Sequence, residues 1–237
     1  MSIALWQETE VKEGILDWGR VSDVRISETV EAPLVEIIEH DRLRVDAVYY
    51  DAGIEGALAA TYTRQPILEK LEQLLTVLPE NIGILVLDAW RPLTVQKALR
   101  AQVKTFLEEE YSTLDNSEVE EVLSQFVAEP SDDPRNPSPH LTGGSIDVTF
   151  FDCETGEPLD MGTLFDEATP LSWSHAFESV DSSKYKREIR DNRRLLINGM
   201  KSVGFTNLPT EWWHFDYGNQ LWGYHKNEEA IYGIATL

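Results

Sequence analysis

Two short segments far apart in the chain constrain it most. Ser138-Pro-His140-Leu-Thr-Gly143-Gly144-Ser-Ile-Asp147 and Glu211-Trp-Trp-His214 together supply two imidazoles and two carboxylates. Two histidines and one carboxylate suit a catalytic zinc whose fourth position stays open. A glutamate three residues before the second histidine can serve as the base that activates water there. The fold must therefore bring His140, Asp147, Glu211 and His214 to one point, and the chemistry implied is that of a zinc hydrolase.

Local patterns indicate how each group is mounted. Gly143 and Gly144 allow the backbone to turn, and the alternation of Ile146, Val148 and Phe150 with Ser145, Asp147 and Thr149 has the period of a half-buried strand over Ser145–Phe151. In Glu211–His214 an offset of three would join both side chains on a helix. The flanking aromatics Trp212, Trp213, Phe215 and Tyr217 favour a strand over Glu211–Tyr217, so an irregularity is expected near Trp212. The apolar run Ile82–Ala89 reads as a buried strand. Helical spacing marks Pro66–Leu78, stopped by Pro79. It also marks Pro92 to about Tyr111, with Val95, Leu99, Val103 and Phe106 on one face, as well as Glu118–Ala128 and Lys184–Val203 before Gly204. The proline-rich stretch Glu129–Pro139 leads straight into the first metal segment and reads as an ordered active-site loop, not a domain linker. The expected architecture is α+β. It is one domain over residues 1–237, with a mainly antiparallel sheet carrying the site and helices flanking it.

Composition excludes partners more than it selects them. Acidic residues outnumber basic ones by 42 to 20, a formal charge of −22, which argues against nucleic acid and anionic membranes because both attract basic patches. No apolar stretch approaches the ~18 residues of a membrane span, and the amino terminus carries no export pattern. The single cysteine, Cys153, precludes an internal disulfide and agrees with a reducing compartment. A cytoplasmic location is the expectation.

The two metal segments resemble the signatures of the zinc D-alanyl-D-alanine dipeptidases of the vancomycin-resistance type, within the wider group of D,D-carboxypeptidases that share their fold. Asp88-Ala-Trp-Arg91-Pro92, Met161-Gly-Thr-Leu-Phe-Asp166 and Asp191-Asn-Arg-Arg-Leu-Leu196 match the dipeptidase branch in order and spacing, over roughly Ile82 to Tyr217. The resemblance implies one zinc per chain, held by His140, Asp147 and His214, with Glu211 as general base. It implies that Arg91 stabilises the transition state, that Asp166 pairs with the substrate's ammonium group and that Ser138 contacts its far end. It also implies a substrate-contacting tyrosine near Arg44–Asp51. The pattern there is not reproduced cleanly, which leaves Tyr49 and Tyr50 unassigned.

Taken without the resemblance, several of these residues have plainer readings. Arg91 at a strand end could simply pair with Asp88, Asp166 could cap a helix starting near Glu167, and Ser138 between two prolines could be a turn residue. His40, His175 and His225 carry no ligand spacing and read as ordinary surface or core residues. The expected activity is zinc-dependent hydrolysis of a small peptide, a D,D-dipeptide such as D-alanyl-D-alanine. The alternatives are a D,D- or L,D-carboxypeptidase acting on cell-wall peptides, or a non-catalytic zinc-binding module. Retention of Glu211 and Arg91 argues against the last, because a structural metal needs neither.

Overall fold

The apolar runs pair into one central sheet. The computed structural model describes residues 3–27, 30–110, 115–179 and 183–237. Its strands are β1 (Leu34–Glu36), β2 (Leu43–Val45), β3 (Tyr62–Arg64), β4 (Ile82–Asp88), β5 (Ser145–Asp152), β6 (Thr206–Asn207) and β7 (His214–Asp216). Its helices are α1 (Ile3–Glu8), α2 (Trp18–Ser22), α3 (Val48–Asp51), α4 (Gln65–Leu75), α5 (Leu93–Glu110), α6 (Asn116–Phe126), α7 (Lys184–Ser202) and α8 (Gln220–Lys226). The main sheet has the order β2-β4-β5-β7-β6, with β2 parallel to β4 and every other pair antiparallel, so the mainly antiparallel α+β expectation holds. β1 and β3 form a separate antiparallel pair.

Helices bury their apolar stripes against this sheet. α4 turns Ile67, Leu71, Leu74 and Leu75 inward, and α7 turns in Leu195, Leu196, Ile197 and Met200. They meet Ile84, Val86, Val148, Phe150 and Phe215 in one core. Burial of such side chains is the dominant favourable term, about 1.5–3 kcal/mol each. α7 ends at Ser202, one residue short of the expected Val203, and the chain turns at Gly204, whose φ of +103° suits glycine far better than other residues.

Four further expectations change in detail. α4 stops at Leu75 and does not reach Pro79, because Thr76 Oγ1 donates to the Gln73 carbonyl and competes with continuation of the helix. In α5, Leu107 and not Phe106 is buried: it packs on Val119 and Leu123 of α6, which leaves Phe106 exposed. Tyr111, the expected end of that helix, lies outside the described residues. α6 starts two residues early, at a capping box made by Asp115 and Glu118. β5 is not half-buried, since Ser145, Asp147 and Thr149 are as enclosed as Ile146, Val148 and Phe150. The polar face of that strand forms the floor of the site.

Candidate active site

Strand register assembles the centre. Asp147 on β5 stands opposite His214 on β7 and, on its other side, opposite Asp88 on β4. Side chains directly opposed across antiparallel strands lie about 5 Å apart at Cβ. The β4–β5 register shifts between Val86 and Asp88, a bulge that turns Asp88 onto the face of Asp147 while Val86 stays in the core. His140 arrives from a tight turn, Pro139–Thr142, closed by Gly143 at φ +66°. A Cβ on Gly144 would meet the Tyr217 carbonyl at 2.8 Å, which is why this approach to β5 excludes side chains. Behind the turn, the buried Arg64 guanidinium donates to the carbonyls of Thr142, Ala32 and Gly233 and braces it.

The expected irregularity near Trp212 is present. β7 begins only at His214; Trp212 and Trp213 form a turn, and the Trp212 amide bonds to the Ser172 carbonyl instead of a partner strand. The turn lets Glu211 and His214 face the same centre, with Glu211 Oε2 3.9 Å from His214 Nδ1.

Donor chemistry at this centre calls for a cation. His140 Nδ1 lies 2.7 Å from the Ala89 carbonyl, which must accept a proton from it, so Nε2 of the neutral ring is a lone pair. His214 Nε2 lies 3.1 Å from Asp216 Oδ1 and donates to it, leaving Nδ1 as the inward atom. These two nitrogens lie 3.2 Å apart, and His214 Nδ1 is 3.0 Å from Asp147 Oδ1, a buried oxygen without a hydrogen-bond partner. His140, Asp147 and His214 present ligand atoms all within 4.8 Å of one another. Lone pairs converging this closely repel unless a positive charge sits among them. Burial first, and the neighbouring Arg91 next, push the His140 pKa down to about 3, which keeps that ring neutral and fit to ligate. At His214 burial also opposes charge, but Asp216 and Asp147 outweigh it and draw a proton to the ring. That proton is the positive charge a dication would replace. Asp216 is itself held by Ser145 Oγ and Asn219 Nδ2, the outer support that orients a ligating histidine.

Arg91 lies in the same pocket as His140, Asp147 and His214 and is fixed at each nitrogen. Its Nε donates to Asp88 (2.8 Å), Nη1 to Gln96 Oε1 (2.6 Å) and Nη2 to Tyr49 Oη (3.1 Å), and Nη2 is 3.5 Å from Asp147 Oδ2. The plainer reading of Arg91, a pair with Asp88, holds, and that pair keeps the guanidinium in the pocket. Tyr49 donates its own proton to Asp166 Oδ2 at 2.6 Å. Asp166 is no helix cap. It sits in a loop at φ +57° and lines the pocket with the ligands and Glu211. Burial raises its pKa to about 6 and that of Glu211 to about 8, although the Glu211 side chain is 22% exposed.

The loop that carries Asp166 is pinned from below. Arg193 of α7, fully buried, donates to the carbonyls of Met161, Leu171 and Trp173, with Phe177 stacked on its guanidinium. Trp212 Nε1 and Ser172 Oγ both donate to Thr163 Oγ1. Arg193→Met would orphan three buried carbonyls, each worth about 1–3 kcal/mol. Urea unfolding is expected to report a loss of at least ~3 kcal/mol, and a change under ~1 kcal/mol would show the loop stands without it.

The structure thus brings His140, Asp147, His214, Glu211, Arg91 and Asp166 together. Ser138 it does not: the hydroxyl accepts from the Ser131 amide at 2.8 Å, ties down the 129–139 loop and lines an adjoining chamber. Three participants escaped the sequence reading. Tyr49, one of the two tyrosines left unassigned, lines the pocket against Arg91 and Asp166, whereas Tyr50 is 51% exposed. Gln96 links Arg91 to the Ala128 carbonyl. Asp216, two residues past His214 and on the same strand face, was the one with a legible signal. His40 pairs with Glu72 on the surface, and His175 stacks edge-on against Trp173.

A family model described as D-ala-D-ala dipeptidase matches residues 59–231. The chain is similar to the D-alanyl-D-alanine dipeptidase of Synechocystis sp., 33% identical over 180 residues that span 70% of this chain and 72% of that one. It is 28% identical over 163 residues to the D-alanyl-D-alanine dipeptidase of Enterococcus faecium, covering 67% and 72% of the two chains. The crystal structure of the vancomycin-resistance D,D-pentapeptidase VanY with Zn(II) aligns over 95% of this chain and 97% of that one, at 13% identity and a TM-score of 0.46. By the extent of the family match and the identity to the cyanobacterial enzyme, this chain belongs to the D-ala-D-ala dipeptidase family and is a dipeptide-cleaving metallopeptidase.

Proposed function

We propose that the protein hydrolyses D,D-dipeptides such as D-alanyl-D-alanine at a single zinc held by His140, Asp147 and His214. The observation that carries this reading is the convergence of ligand atoms from His140, Asp147 and His214 beside Glu211, Arg91 and Asp166 in one pocket of about 130 Å³. Zinc, when bound, polarises the scissile carbonyl and makes water acidic enough to attack near pH 7. Glu211 takes the proton of the attacking water and delivers it to the leaving amine. A carboxyl with a pKa pushed up to about 8 holds and releases a proton near neutrality. Arg91 faces the oxygen that gains charge during attack. Its pKa stays above the ordinary value despite burial because Tyr49, Asp88, Asp147 and Asp166 surround it.

Asp166 receives the substrate's ammonium group, and the Tyr49 hydroxyl holds the Asp166 carboxylate in place for it. A carboxylate buried without its cation costs several kcal/mol, so amino-terminal acetylation of a good dipeptide is expected to lower kcat/KM by orders of magnitude. The same interaction predicts a pH dependence. Protonation of Asp166 removes the charge, so KM for a free-amine dipeptide rises as pH falls through about 6, and Asp166→Asn should abolish that rise. The deciding experiment is a panel of D,D-, L,D- and L,L-dipeptides, amino-blocked dipeptides and cell-wall pentapeptides offered to the zinc-loaded protein. Efficient cleavage of blocked or pentapeptide substrates would move the assignment to a carboxypeptidase. No helix among the described residues is long and apolar enough to cross a membrane, and the cytoplasm is the compartment this reading favours.

A further inference from the structure

The catalytic pocket does not end at the metal ligands. It shares Trp18, Ala128, Pro139 and Leu221 with a second chamber of about 530 Å³, walled further by Val21, Pro130 and Pro137. Among the described residues no lysine or arginine lines this chamber, so these offer no cation to a carboxylate. Several of its polar side chains are already engaged. Ser138 is tied to the 129–139 loop, Gln220 Nε2 donates to the carbonyls of Val24 and Arg135, and Asn219 Nδ2 donates to Ser145 and Asp216. Glu129 pairs with Arg100. The remaining surface is apolar and dominated by one indole.

Trp18 belongs to a segment ahead of the family-matched region, which begins at residue 59. It opens α2, whose amino end is capped by the Asp17 side chain and whose Val21 is packed against Leu208 and Leu221. The helix is anchored, while the Trp18 ring stays 41% exposed at the junction of the two cavities. A large aromatic face at a cavity mouth lined by prolines and leucine is a hydrophobic contact surface.

We infer that the second chamber is the subsite for the side chain of the substrate's carboxy-terminal residue, and that it selects a large apolar side chain over a methyl group. The inference rests on the dipeptidase reading proposed for this site. With the ammonium at Asp166 and the scissile carbonyl at the metal ligands, a single residue spans that interval. Only the residue on the carboxyl side of the scissile bond can therefore enter the chamber, which Asp166 and Tyr49 do not line. Filling it with a leucine- or phenylalanine-sized side chain removes apolar surface from water on both partners. Differences of a few methylenes in such pockets are worth ~10–200-fold.

The test compares kcat/KM for D-Ala-D-Ala, D-Ala-D-Leu and D-Ala-D-Phe in the zinc-loaded wild type and in Trp18→Ala. The expected result is a preference of roughly tenfold or more for D-Ala-D-Phe over D-Ala-D-Ala, expressed mainly in KM, that shrinks several-fold in the variant. Where circular dichroism shows Trp18→Ala misfolded, Trp18→Leu takes its place and is expected to lower the D-Phe to D-Leu ratio. Equal or better turnover of D-Ala-D-Ala in the wild type, or a preference unchanged by either substitution, overturns the subsite while leaving the dipeptidase reading intact. Failure to cleave any dipeptide of the panel overturns both.

Discussion

Replacing Glu211 with alanine is expected to leave about one zinc per chain in place while lowering turnover by about 10²–10⁴-fold, the range a single general base contributes. The two halves of this expectation have separate origins. Zinc stays because Glu211 is not among the three converging acceptors; its carboxylate stands 3.9 Å from His214 Nδ1. Turnover falls because the other carboxylates among the described residues of the pocket are engaged, Glu167 by the Leu164 amide. Asp147 is a proposed ligand, Asp166 is bonded to Tyr49 and Asp88 to Arg91. Metal content and steady-state rates measured on the same preparation check both, and near-normal turnover would remove Glu211 from the mechanism.

His140→Ala and His214→Ala are expected to do the opposite, losing the metal first and activity with it. Each substitution removes one of only three protein donors and leaves a buried cavity beside the unpartnered Asp147 Oδ1. Zinc should fall well below one per chain after dialysis. Asp216→Asn supplies the graded control, because it weakens only the support behind His214 and should reduce zinc affinity by ~10–100-fold. Undiminished zinc in both histidine variants would disprove the ligand set.

Each element was legible in advance to the extent that near neighbours determine it. The strands that build the site declare themselves through local alternation and apolar runs. α4, α5, α6 and α7 declare themselves through 3.6-residue spacing, with ends misjudged by a few residues where a side chain such as Thr76 or Asp115 competes for backbone groups. Which of Phe106 and Leu107 turned inward could not be read from α5, because both satisfy its spacing and only α6 packing against Leu107 decides.

The candidate site divides the same way. His140, Asp147, Glu211 and His214 were nameable because their chemistry and spacing are carried by contiguous segments, whereas Arg91 and Asp166 were singled out by the resemblance their segments carry. Tyr49 and Gln96 were not, since each matters only through a partner distant in sequence or in another element, Tyr49 through Arg91 and Asp166, Gln96 through Arg91 and Ala128. Ser138, which sits inside the first metal segment, was read as a substrate contact, yet its hydroxyl is engaged by the amide of Ser131 once the proline-rich loop folds back. The amino-acid sequence alone thus determined the proposed donor set, the elements that mount it and the acidic character of the chain, all of which depend on composition or near neighbours. Tertiary structure alone decided which tyrosine enters the pocket, how Asp88 swings onto the face of Asp147 and that Trp18 closes on a second chamber. Those outcomes depend on strand register and on contacts between distant segments, where local propensity exerts no force.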